Sequence, residues 1–144
     1  MDGLTPRYVD ETDWGFGWVA SEKSRLGMTS HALATDGRVW LVDPTDEDVA
    51  LWWSERRVLV CADALGTVPH CFALGGERLG VHPLLRPTPP RGLGRFDPAH
   101  ILCGHGEGVH DDAARAMRDA LLGARRRLPL LLVEPALLLR GGRR

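Results

Sequence analysis

Apolar and polar residues alternate in short runs through the first half of the chain, a pattern typical of β-strands. One run, Arg38–Val42, and the run before it flank Asp36-Gly37, a pair favoured in tight hairpin turns. Two further runs, Val49–Trp53 and Val58–Ala62, are separated by a short polar segment. The sequence therefore predicts two consecutive β-hairpins.

The second half of the chain predicts a loop, a strand and a helix in turn. Residues 68–98 are rich in proline and glycine and predict a long loop, after which the apolar run Ala99–Cys103 predicts a strand. A helix is predicted over Asp111–Arg127, where small and apolar residues recur at helical spacing, with acids first and arginines last. The N-terminal segment at 1–29 is predicted to be irregular apart from a candidate short strand at 14–18. With a tail at 128–144, the chain is predicted to be one α+β domain.

Net charge, apolar stretches and cysteine spacing limit which partners and which cellular location are expected. The chain has 144 residues and a formal net charge of −1, so no general attraction to nucleic acid or to an anionic membrane is expected. The leucine-rich stretch at 128–139 is short and interrupted by proline, which argues against a membrane span. The three cysteines lack metal-binding or redox spacing and the N-terminus lacks a signal pattern, so a cytoplasmic location is expected.

Acidic and imidazole side chains follow three of the predicted strands directly. Asp43 follows the strand 38–42, Asp63 follows Val58–Ala62, and His105 follows Ala99–Cys103 within Gly-His-Gly. Carboxylate and imidazole groups together suit Zn, Mn or Fe. The alternative for each residue alone is a turn-capping aspartate or a hydrogen-bonded histidine.

The motifs "GRVWLVDP", "DALGT" and "GHGEGV", in this order, resemble the metallo-β-lactamase superfamily. The resemblance implies an αββα sandwich and metal-dependent hydrolysis of esters, thioesters or lactones. It also implies that Asp63 and His105 are metal ligands and that Asp43 supports the site without binding metal. The convergence of Asp63 and His105 at one edge of the sheet is therefore expected.

The chain departs from that family in the region that normally supplies most of the ligands. The family's H-x-H-x-D-H motif would fall in the interval 45–61, which contains no histidine. The chain is therefore interpreted as an internally truncated member with an incomplete metal site, in which His82 and His110 are further candidate ligands. Zinc, or manganese or iron, is expected to be bound weakly or not at all, and no catalytic residue is assigned.

Two hypotheses on function follow from these motifs. The first is a hydrolase-like protein with little or no activity, and the second is a non-catalytic binding domain in which Asp63 and His105 are structural.

A single helix is expected to leave apolar sheet surface uncovered, which predicts self-association.

Overall fold

The computed structural model describes residues 7–19, 29–35, 38–42, 50–69 and 71–133. This part of the chain has mixed strand and helix content, as the predicted α+β class requires. The elements are β1 (Arg7–Thr12), β2 (Gly15–Val19), β3 (Thr29–Thr35), β4 (Arg38–Val42), β5 (Leu51–Trp53), β6 (Val58–Val60), β7 (Leu65–Gly66), β8 (Gly80–Val81), β9 (His100–Leu102) and α1 (Ala113–Gly123).

The first sheet is an antiparallel meander of four strands in the order β1-β2-β3-β4. The β3/β4 pair confirms the two strands predicted around Asp36-Gly37, two residues that themselves lie outside the described ranges. The prediction of an irregular N-terminal segment was wrong for β1, whereas β2 overlaps the short strand predicted over residues 14–18. Glycine lets β2 approach β3 closely: a Cβ at Gly15 would lie 2.4 Å from the Ala32 carbonyl oxygen.

The second sheet has the order β5-β6-β9 and mixes two kinds of pairing. Strands β5 and β6 form the predicted antiparallel hairpin, whereas β6 and β9 are parallel, with Val58 opposite His100 and Val60 opposite Leu102. The segment between them contains the small β7/β8 pair. Parallel pairing brings the ends of β6 and β9 to the same edge of the sheet.

Both faces of the second sheet are covered at β6 and β9. On one face Leu59 and Ile101 pack in the same cluster as Met117 of α1. On the other face Val58, Val60 and Leu102 pack against Leu33 of β3 and Trp14 of the turn between β1 and β2. The expectation that apolar sheet surface remains uncovered was wrong for β6, because the N-terminal strands supply the missing layer.

The proline-rich loop is anchored by a buried arginine. The side chain of Arg86 is completely buried; it donates to the carbonyl oxygen of Phe72 and lies 3.3 Å from a carboxylate oxygen of Glu77. Arg127, after α1, lies 3.0 Å from the other oxygen of Glu77. This ion-pair network ties the loop to the end of the helix.

Helix α1 is shorter than predicted but presents the predicted apolar face. It covers Ala113–Gly123, and Asp112 before it adopts a left-handed conformation with φ of 51°. Met117, Ala120 and Leu121 are buried against the second sheet and the loop.

Among the residues that the structure describes, no helix combines the length and apolar content needed to cross a bilayer.

Candidate functional site

The ends of β6 and β9 bring Asp63 and His105 together. Each residue lies three positions beyond the paired residues Val60 and Leu102, so the parallel register delivers them to the same edge. Oδ1 of Asp63 lies 3.1 Å from Nε2 of His105. The predicted convergence of these two side chains is confirmed.

Two backbone features allow the strand ends to approach this closely. Ala62, directly before Asp63, has a φ of 39°, a conformation that is uncommon for residues other than glycine. Gly104, directly before His105, donates its N–H to the Ala62 carbonyl oxygen at 2.7 Å. A Cβ at Gly104 would lie 2.7 Å from both that oxygen and Oδ1 of Asp63, so only glycine fits there.

The imidazole of His105 is held in a fixed position. The residue is 7% exposed, and its ring stacks on Phe72 with centroids 5.1 Å apart and planes 27° apart. Its carbonyl oxygen accepts the N–H of Thr67 at 3.0 Å. Asp63 is more open, with its side chain 33% exposed, so the pair lies at the protein surface with the histidine as its inner member.

The pair fits part of a metal site. Oδ1 of Asp63 is buried and, although close to Nε2 of His105, is not aligned with it as in a hydrogen bond. With metal–ligand bonds of about 2.0–2.2 Å, neighbouring ligands of one ion lie about 3.0–3.5 Å apart, and the observed 3.1 Å falls in that range. A catalytic zinc needs about three protein ligands, however, and the described ranges contain no group of three His, Cys, Asp or Glu placed to hold a metal. The described residues therefore offer two donor atoms, Oδ1 of Asp63 and Nε2 of His105, at this edge of the sheet.

The structure engages the two further candidate ligands elsewhere. Nδ1 of His82 accepts the N–H of Leu84, and its ring meets the Phe72 ring at an angle of 74°. Both ring nitrogens of His110 contact other side chains: Nε2 lies 2.9 Å from Oδ1 of Asp10, and Nδ1 lies 3.0 Å from Nδ1 of His100. Asp43, the predicted supporting residue, lies outside the described residues.

Sequence reasoning named His110 but missed the two side chains that it contacts, Asp10 and His100. Asp10 and His110 are separated by 100 residues, and Asp10 lies in a segment predicted to be irregular. His31, on β3, is nearly fully buried, and its Nε2 lies 2.9 Å from the carbonyl oxygen of Cys103. No local pattern could have signalled contacts of such long range.

Comparisons with protein-family models, with curated proteins and with solved structures give no match to this chain.

Proposed function

We propose that this chain is a metallo-β-lactamase-like protein with an incomplete metal site, which binds a divalent ion weakly and does not hydrolyse substrates there. The observation that carries the proposal is the 3.1 Å separation between Oδ1 of Asp63 and Nε2 of His105. The order of the motifs along the chain supports it. The partial αββα sandwich and the supporting role of Asp43 belong to the same proposal.

The lack of hydrolysis follows from the number of ligands. Metal-dependent hydrolysis needs an ion held rigidly with an open position for water, which lowers the pKa of that water. Asp63 and His105 supply two donor atoms, and His82 and His110 are engaged with other groups. An ester, lactone or thioester substrate would be turned over only if ligands from beyond this pair completed the site.

A zinc-dependent melting experiment tests the metal-binding part of the proposal. Zinc should raise the melting temperature of the untagged chain, because a ligand that binds only the folded state stabilises it. Asp63→Asn should abolish the shift, while Asp119→Asn, which alters an exposed carboxylate on α1, should retain it. Elemental analysis should show less than one zinc per chain after dialysis; a tightly held stoichiometric ion would contradict an incomplete site.

A second candidate function is a non-catalytic binding domain in which the pair is structural. The burial of His105 and its stacking on Phe72 favour this candidate, since they describe a histidine packed as part of the fold. Under this candidate zinc leaves the melting temperature unchanged. His105→Gln then lowers the stability of the chain equally with and without zinc.

A further inference from the structure

A second group of titratable side chains lies between the first sheet and the turn after β9. Oδ1 of Asp10, on β1, accepts the N–H of Gly108 at 2.8 Å and lies 2.9 Å from Nε2 of His110. Nδ1 of His110 in turn lies 3.0 Å from Nδ1 of His100, on β9. A carboxylate and two imidazoles therefore form one continuous line of hydrogen bonds.

The chemistry of these groups fixes most of the hydrogen positions. An ionised carboxylate can only accept, so Nε2 of His110 carries a hydrogen and donates it to Asp10. One hydrogen lies between the two Nδ1 atoms. When it belongs to His100, both rings are neutral and Nε2 of His100 has a lone pair.

A second arrangement is reached by adding a single proton. The proton binds to Nε2 of His100, and the hydrogen on Nδ1 of that ring passes to Nδ1 of His110. His110 then carries the positive charge beside the carboxylate of Asp10, while His100 remains neutral. No bond other than these N–H bonds forms or breaks.

The surroundings favour the charge on His110 over His100. Asp10 is 5% exposed, and its Oδ2 is buried and makes no hydrogen bond, so the carboxylate attracts a cation next to it. Burial lowers the pKa of His100, and the neighbouring His110 lowers it further. The other charged groups that act on the line are Asp13, Arg57 and Asp111 near His100, and His31 near Asp10.

We propose that Asp10, His110 and His100 form a proton relay, in which a hydronium ion of the solvent gives a proton to Nε2 of His100 and is left as water. Within the described residues, Nε2 of His100 makes no hydrogen bond. An open cavity of about 450 Å³ adjoins the line at His110; Arg57, Arg118 and the first residues of α1 also line it, and His100 does not. The relay shares no side chain with the Asp63–His105 pair, so this inference is independent of the proposed function.

A purely structural role would leave the hydrogens where they are. In that case the line only docks the first sheet onto the turn after β9, and each imidazole keeps one tautomer until it gains its own second proton. The relay instead requires the tautomer of His100 to change when His110 becomes charged. The two roles therefore differ in an observable that does not depend on stability.

Nitrogen-15 NMR of the histidine rings in the full chain measures that observable. At a pH at which both rings are neutral, His100 should be in the Nδ1–H form and His110 in the Nε2–H form. On acidification His110 should become doubly protonated while His100 changes to the Nε2–H form. A His100 ring that stays in one tautomer, or that becomes doubly protonated before His110, overturns the proposal.

Two variants sharpen the experiment. Asp10→Asn keeps an acceptor oxygen but removes the charge, and it should lower the pH of the tautomer change by about one unit or more. His110→Gln keeps a donor to Asp10 but breaks the line, so His100 should become doubly protonated itself. An unchanged tautomer transition of His100 in His110→Gln overturns the proposal even if Asp10→Asn fails to fold. His82→Gln, outside the line, should leave the transition as in the wild-type chain.

Discussion

Gly104 is the residue on which the approach of the two strand ends depends. Its missing Cβ leaves room for the carbonyl oxygen of Ala62 and for Oδ1 of Asp63, each 2.7 Å from where a Cβ would lie. A side chain there must push the backbone of one strand end away from the other. The geometry of the Asp63–His105 pair therefore depends on a residue that supplies no functional group.

Gly104→Ala is expected to lower the free energy of unfolding by about 1–3 kcal/mol, the usual range for overpacking. Chemical denaturation measures the effect. Gly92→Ala is the matched control, because a Cβ at Gly92 meets nothing within 4 Å and the change should stay within about 1 kcal/mol. Equal effects of the two substitutions would show that the close approach at Gly104 carries no strain.

His31 predicts a loss of stability in acid. Burial lowers the pKa of His31 from the ordinary value of 6.5. The hydrogen bond to the Cys103 carbonyl oxygen and the negative charge of Asp10 raise this pKa, but by less than burial lowers it. As the pH falls through 6.5, the unfolded state gains a proton that the folded state does not accept, so the free energy of unfolding decreases until the lower folded pKa is reached. His31→Gln, which retains a donor for Cys103, should weaken this pH dependence in denaturation curves. An unchanged pH dependence of the free energy of unfolding in His31→Gln would contradict this prediction. A weaker pH dependence of the same sign should remain, because the pKa of His100 is also lowered.

At the scale of elements, the loop is joined to the end of α1 through Glu77. Its side chain is 4% exposed and lies between the fully buried Arg86 and the partly exposed Arg127. Removing the carboxylate charge would leave the guanidinium of Arg86 buried without its ionic partner. Leaving a buried charge without its partner lowers the free energy of unfolding far more than losing a surface ion pair does.

Glu77→Gln is expected to destabilise the chain by about 3–5 kcal/mol. Asp119→Asn removes the same charge from an exposed pair with Arg115 on α1 and should cost about 0.5 kcal/mol or less. Thermal melts of the two variants side by side provide the measurement. Comparable losses would mean that the Arg86 guanidinium is hydrated, contrary to its burial.

Local pattern predicted most of the elements but not how they pair. Hairpin signals and helical spacing are properties of neighbouring residues, which is why β3 to β6, β9 and α1 fall where the sequence predicts strands and a helix. The parallel pairing of β6 with β9 depends on packing across the long loop. Strand β1 pairs with β2, and glycines of β2 make the close contacts with β3. Asp63 and His105 were found through the motifs that follow their strands. Asp10 and His100 were missed because their partners are distant in sequence or carry no motif.

At the scale of the whole molecule, the three layers place α1 on one face of the second sheet and the first sheet on the other. Strand β6 is covered in this way, whereas Leu51 on the neighbouring strand β5 is 48% exposed. Other apolar side chains remain exposed in the described part of the chain, among them Leu122 on α1 and Leu132 after it, at 80% and 82%. Self-association thus stays a prediction, based on these exposed apolar side chains.

Sedimentation velocity across a range of concentrations checks this prediction. The chain should form larger species as its concentration rises, and replacing Leu122 and Leu132 by glutamine should reduce them, because less apolar surface is then available for contact. Both side chains are exposed, so the double variant should keep its melting temperature. A monodisperse monomer at high concentration would contradict the prediction.

The most direct test of the central claim is the hydrolysis of lactone, thioester and β-lactam substrates by the untagged chain in excess zinc. Under the proposed function, Asp63 and His105 would provide two ligands where about three are needed to activate water. The predicted result is no zinc-dependent turnover above that of zinc alone, in the wild-type chain and in Asp63→Ala alike. A zinc-dependent rate in the wild-type chain that disappears in Asp63→Ala would contradict the account, because it would require a complete catalytic metal centre.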